Sequence, residues 1–407
     1  MNNIYMFVCF ALQYTSVTSF FFQMMHCFDT RPKPLFICGL IGALLIIDIC
    51  LRLYEGCGQQ TSTRVDGFVA IPKHLSGVHA QTPSDAKQHV QSQSHNVSKA
   101  GLCETGAPCV YADTVDLRTI VMTFNRASAL SKLLESIALL DSMGDTIALD
   151  IWIDRNKAQQ VHEETVRTAQ SFHWDKGPFG VHIQSQHAGI YGQWIDTWRP
   201  RSGSNELALL LEDDLMISQH TWRWLKAAHA HYGQRNDILG YSLQSEGVST
   251  SDSKRRPLHG GDDEPAFMYK LMGSWGFAPH PRVWRGFQDW FHKVYPNKSF
   301  HPYVPGLVMT KWYKGFEKAG TQDSMWTMWF IYYTNERNLY CVVNNLNHMT
   351  KSKDKCLSVH RAEPGLHYKG RPRANVEKLL LSNWSSQYVA FSPTTTKFDW
   401  NGEVVQD

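Results

Sequence analysis

Between positions 205 and 218 the chain reads NELALLLEDDLMIS. The apolar run at 207–211 is the length of one fully buried strand, and Glu212, Asp213 and Asp214 follow without a break. Three carboxylates crowded at the carboxyl end of such a strand repel one another. They are costly to strip of water unless a cation sits among them. In an open α/β sheet that edge is where ligands bind. A hard divalent ion that keeps some of its waters and also accepts phosphate oxygens suits oxygen donors of this kind. The chemistry implied is a metal held by carboxylates and shared with a diphosphate. The plain alternative is a solvated turn that happens to be acidic.

Other polar residues fall where the same cleft would need them. Thr123, Asn125 and Arg126 close the apolar stretch at 118–124, and Asp154 closes the one at 148–153. They could hold a nucleotide's base and ribose, with a cation near its phosphates. Turn and cap chemistry accounts equally for Asn125. Trp275 sits between Ser274 and Gly276 and is a candidate platform for a sugar ring, while most aromatics of 267–291 read as core. Asp323 precedes an apolar helical stretch, where a carboxylate is either a helix cap or, if it faces the cleft, a base. His360 and Arg361 lie in a polar loop at 357–368 that could close over a diphosphate as ligand and clamp. A surface loop with an incidental histidine fits those residues too. Asp262, Asp263 and Glu264 form a second acidic cluster, but no buried strand precedes them and they read as solvated loop. His229 and His231 are two apart on a helical stretch, so they diverge rather than pair on a metal.

The elements that must position these residues alternate. Strands are expected at 118–124, 148–153, 179–184 and 207–211, with helical periodicity after the first, at 158–172, and after position 187. That order predicts an α/β domain, Rossmann-like, with a mostly parallel central sheet flanked by helices and right-handed crossovers. Later strands are expected at 237–243 and 338–345, and a helix opens at Pro281. The chain has 407 residues, 43% of them hydrophobic, which is ample for a large core. A net charge of +3 without a long basic run excludes a nucleic-acid-binding design. There is no P-loop pattern, no GxGxxG and no internal repeat.

The layout expected is an apolar N-terminus of uncertain role at 1–34, a transmembrane signal anchor at 35–54 and a polar stem at 55–113. The main domain follows at 114–395, with a C-terminal tail at 396–407. Arg31 and Lys33 before the span favour a cytoplasmic N-terminus, although the apolar stretch at 4–28 leaves a second crossing open. Asn96, Asn297 and Asn383 match the N-glycosylation acceptor pattern. Cys103 and Cys109 are near enough to close a small loop, and Cys341 could join Cys356, with free buried thiols as the alternative. The absence of CxxC speaks against structural zinc.

Together, VMTFNR at the first strand end, Asp154 at the second and LLLEDD resemble the GT-A class of nucleotide-sugar glycosyltransferases. Within that class the motif order is most similar to inverting N-acetylglucosaminyltransferases, which carry an EDD motif and a later Asp near a Trp. The resemblance covers short blocks between 118 and 368. The first strand is nearer to general GT-A enzymes, and Thr321 and Gln322 stand before Asp323 where that subgroup has an aromatic residue. It implies Asp214 as direct ligand of Mn²⁺ or Mg²⁺, with Asp213 and Glu212 on ribose or metal-bound water and Asp323 as base. It also implies transfer of a sugar, GlcNAc among the candidates, from a UDP-sugar to a hydroxyl of a glycan or glycoprotein, with inversion. A single-pass type II protein of the Golgi or ER membrane with a lumenal domain would go with it. Two other readings remain: a membrane-anchored glycan- or nucleotide-sugar-binding protein without turnover, and a metal-dependent phosphoester or nucleotide-sugar hydrolase.

Overall fold

A computed structural model describes residues 108–245, 247–249, 255–366 and 368–406. The apolar segments at 4–28 and 35–54, most of the stem, Cys103 and Asn96 lie outside the described residues. Among the described residues, no helix is long and apolar enough to cross a membrane.

The first half alternates as the sequence pattern requires. It runs β1 (Leu117–Thr123), α1 (Ala127–Ala138), β2 (Ile147–Ile153), α2 (Glu163–Gln170), β3 (Phe179–Ile183), α3 (Gly189–Asp196) and β4 (Leu207–Glu212). β1 lies parallel to β2 on one side and to β4 on the other, and β2 is parallel to β3. The chain therefore winds outward through β2 and β3 and then returns to the far side of β1. Where the winding reverses, the residues leaving β1 and β4 meet at the carboxyl ends of the strands, the edge at which open α/β sheets form a crevice. Every residue of β1 and β2 is buried, because layers of side chains cover both faces. On one face Leu117, Val121 and Leu209 meet Leu130, Leu133 and Ile137 of α1, which recur at helical spacing. On the other, Ile120, Met122 and Leu210 meet Trp194, Trp284 and Phe330.

The second half continues with β5 (Leu215–Ile217), α4 (Thr221–Tyr232), β6 (Ile238–Ser242), β7 (Gly247–Ser249), β8 (Arg255–Pro257), β9 (Ala266–Tyr269) and β10 (Phe277–Pro279). It ends with α5 (Pro281–Val294), α6 (Val308–Lys318), α7 (Thr327–Asn335), β11 (Tyr340–Asn344), α8 (Leu346–Met349), β12 (Ser358–His360) and β13 (Lys397–Phe398). The nine-stranded central sheet has the order β13-β9-β11-β6-β10-β4-β1-β2-β3. β10 enters antiparallel between β4 and β6, and β9 is antiparallel to β11, so the sheet is mixed and mostly parallel.

Several expectations are corrected. The helix expected at 158–172 shrinks to α2, since Asn156 accepts from the Gln160 backbone and holds a turn ahead of it. The helix expected to open within 320–326 begins at Thr327, and Gln322–Ser324 form a single 3₁₀ turn. Part of the loop at 357–368 is strand β12, paired antiparallel with β5. Within 396–407, β13 joins the sheet beside β9 and Phe398 packs on Phe267. Ahead of 114, the Cys109 N–H donates to the Asp196 carbonyl and Tyr111 is buried. Cys341 and Cys356 are not joined; the first is enclosed in β11, while the Cys356 sulfur accepts from Asn347. Cys109 is disulfide-bonded.

Candidate functional site: an acidic crevice at the switch point

The parallel register sets Met122 opposite Glu212, so the residues that follow each strand meet. The Asp213 N–H donates to the Met122 carbonyl, and the Thr123 hydroxyl donates to Asp213 Oδ2 at 2.6 Å. Arg126, the last residue before α1, turns back over the crevice. Its Nη1 donates to Asp214 Oδ2 at 2.9 Å and its Nη2 to Asp213 Oδ1. Glu212 is held from the other face of the sheet by the Trp194 indole N–H at 3.0 Å.

β12 delivers the next component. Pairing His360 with Leu215 places His360 Nε2 3.2 Å from Asp214 Oδ2. The Arg361 N–H donates to the Asp214 carbonyl at 2.8 Å, which fixes the same strand end. Trp275 stacks on the His360 ring at 4.6 Å between centroids and 10° between planes, so one of its faces is already covered.

The electrostatics follow from this crowding. Burial, reinforced by the neighbouring Asp214, pushes Glu212 up to about 7. Burial pushes Asp213 up to about 6 against the opposing pull of Arg126 and the Thr123 hydroxyl. Asp214 is also enclosed, yet hydrogen bonding to His360 and the Arg126 charge hold it below the ordinary carboxylate range. Its Oδ1 is buried without a hydrogen-bond partner. A buried carboxylate oxygen left over in this way is what a cation would satisfy.

The remaining candidates are placed as follows. Asp154 is buried at the end of β2, and its carboxylate accepts from the backbone N–H groups of Arg155, Ala188 and Gly189. It therefore fixes the start of α3. Asn125 is exposed at the crevice rim. The Arg361 guanidinium turns to Glu363 at 3.0 Å. Asp323 is exposed and accepts from the Tyr295 hydroxyl at 3.4 Å. Its turn precedes Trp326, which stacks on Trp194 at 4.4 Å, so two indoles connect it to Glu212. Asn297 and Asn383 are both exposed. Asp262 pairs with His348 while Glu264 turns to Thr396, so the second acidic cluster does not converge.

Sequence reasoning missed Trp194, whose indole N–H is the only part of it that the site uses, and it missed the buried cluster around Arg118. That guanidinium, 1% exposed, contacts Asp113, Asp150 and Glu206 and lies over the Tyr111 ring. Its partners come from three separate segments, and a lone Arg near a strand start gives no local sign of them.

No protein-family model and no curated protein matches the chain. Among solved structures it is similar to a mannosyltransferase from Pyrobaculum calidifontis in complex with GDP-Man and Mn²⁺, at 13% identity and TM-score 0.29. That match covers 44% of this chain and 47% of the other. It is also similar to residues 1–349 of S. aureus TarS, at 14% identity and TM-score 0.31, covering 56% and 58%. A complex of the same TarS fragment with UDP-GlcNAc matches at 16% identity and TM-score 0.24, covering 32% and 34%. The chain thus spans between a third and three fifths of the solved structures it matches. Scores this low say nothing of this chain's activity, which rests on its own residues.

Proposed function

We propose that this chain is a GT-A glycosyltransferase that moves a sugar from a UDP-sugar to a hydroxyl of a glycan or glycoprotein. The observation that carries the reading is Asp214. It stands at the carboxyl end of β4 beside the switch point, among enclosed carboxylates, with one oxygen unpartnered. The donor set fits Mn²⁺ or Mg²⁺. Asp214, Asp213 and His360 offer carboxylate oxygens and an imidazole, though among the described residues no three His, Cys, Asp or Glu side chains gather as a complete cage. Phosphate oxygens and water complete the shell of such ions. When bound, the ion supplies charge neutralisation for the departing diphosphate.

The chain's own residues do the rest. Thr123 and Trp194 orient Asp213 and Glu212, and Arg126 brings a fork of donors that also suits phosphate oxygens. Trp275 with His360 forms the aromatic wall for the sugar. Asp323 takes the acceptor hydroxyl proton, and direct attack at the anomeric carbon gives inversion. Asp154 serves the nucleotide indirectly, by holding the turn at 188–189. Exposed Asn297 and Asn383 agree with a lumenal domain on a type II Golgi or ER anchor.

One observation favours a second reading. Arg126 already bridges Asp213 and Asp214, as an internal cation would in a nucleotide-sugar-binding protein without turnover. Titrating UDP into the protein with Mn²⁺ and with chelator separates the two. The transferase reading expects UDP affinity to rise at least tenfold with Mn²⁺. Equal affinity in chelator, with no turnover of any UDP-sugar, would favour the binding protein.

A further inference from the structure

A cavity of about 470 Å³ opens far from the acidic crevice, lined by the loop at 201–205, the end of α4 and the first turn of α5. That loop feeds the amino end of β4, whereas Glu212 to Asp214 lie at its carboxyl end, roughly 17 Å away along the strand. Three guanidiniums line the cavity, and each is held by neutral oxygens. Arg201 donates to the Tyr111 and Asp113 carbonyls and to the Thr114 hydroxyl. Arg282 donates to Asn236 Oδ1 at 2.7 Å and to the Arg235 carbonyl at 3.1 Å. Arg285 donates to the Pro200 carbonyl at 2.8 Å. The one carboxylate of the lining, Asp289, is taken by Arg199 at 2.7 Å.

The cavity therefore carries positive charge that the protein leaves unbalanced. α5 adds to it, because its first turn contains no acidic residue and no side chain caps it. Burial pushes both histidines of the wall, His229 and His280, below their ordinary range, so the charge at neutral pH is that of the arginines. His280, 7% exposed, donates from Nε2 to the Gly233 carbonyl and leaves Nδ1 without a partner. Guanidiniums with a bare helix N-terminus suit a tetrahedral oxyanion.

We infer that this cavity is a second, non-catalytic site for a sulfate or phosphate monoester. The site is separate from the acidic crevice and does not depend on the reading given to that crevice. Calorimetric titration of the full-length protein with glucose 6-sulfate, glucose 6-phosphate and unmodified glucose tests it. At least one ester should bind and glucose should not, and the tighter ester names the group. Arg282 is exposed, so Arg282→Ala should stay folded by circular dichroism and weaken the ester about tenfold, the loss expected for one charge-assisted contact. Lys293→Ala removes a charge from the far end of α5, and Asp214→Ala removes a charge from the crevice. Both should bind the ester as the unmodified protein does. Failure of both esters to bind, an unaltered Arg282→Ala, an equal loss in Lys293→Ala, or a loss in Asp214→Ala would each overturn the assignment.

Discussion

Glu212, Asp213 and Asp214 occupy one strand end in three different electrostatic states, and what separates them is the partner each has found. Glu212 has an indole N–H, Asp213 a hydroxyl and a guanidinium, Asp214 an imidazole and the same guanidinium. The raised Glu212 gives a pH dependence whose sign is fixed. Its folded value of about 7 exceeds the ordinary 4.5, so between those limits the folded state binds the extra proton. Its contribution is complete below the ordinary value and is lost as pH rises through about 7. In chelator, the melting temperature should therefore fall between pH 5 and pH 8, Asp213 adding to the fall up to about 6, and Glu212→Gln should remove the part that continues to about 7. An unchanged slope in Glu212→Gln would place the titration elsewhere. Arg126→Gln leaves two enclosed carboxylates without their shared cation and should cost about 3 kcal/mol in chelator, measured by urea unfolding. Mn²⁺ should restore part of that loss. The acidic triplet is legible in the sequence because three carboxylates directly after a buried strand are costly to hold without a cation. Arg126's grip on two of them is not, since a turn Arg shows no sign of its target.

The crevice is assembled by several elements, and the legibility of each depends on how local its cause is. β1, β2 and β4 are read from sequence because strands buried on both faces are continuous apolar runs. β10 is only three residues long, and its antiparallel place between β4 and β6 depends on partners distant in the chain. β12 reads as loop in the sequence for the same reason, and with it the contact of His360 with Asp214 stays hidden. α3 starts where Asp154 accepts from Ala188 and Gly189, a cap supplied from another strand. Asp154→Ala should destabilise the fold by about 1–2 kcal/mol in urea. Because α3 carries Trp194, UDP affinity should fall as well. Trp194→Phe keeps most of the stack on Trp326 but removes the N–H that Glu212 accepts. It should leave the fold intact and weaken UDP binding in Mn²⁺ several-fold; unaltered binding would reduce Trp194 to packing.

At the scale of the molecule, the sheet places its two charged features at opposite ends of β4: the acidic crevice at the carboxyl end and the arginine-lined cavity at the amino end. The α/β class and the crevice are legible from the alternation of strands and helices. The cavity is not, because its arginines come from segments that meet only in the fold. Closure of the far sheet edge is likewise hidden, since β13 is two residues long. Deleting residues 396–407 removes that strand and bares the β9 edge and Phe267, so the truncated chain should melt lower and aggregate sooner. The central claim is that the crevice transfers sugar with the help of a divalent ion. Its most direct test is UDP release from a panel of UDP-sugars by the full chain with glycan acceptors, in Mn²⁺ and in chelator, beside Asp214→Ala. Release from one donor in Mn²⁺, lost in chelator and reduced at least a hundredfold in Asp214→Ala, is the result expected. Release that continues in chelator, or survives in Asp214→Ala, would contradict it.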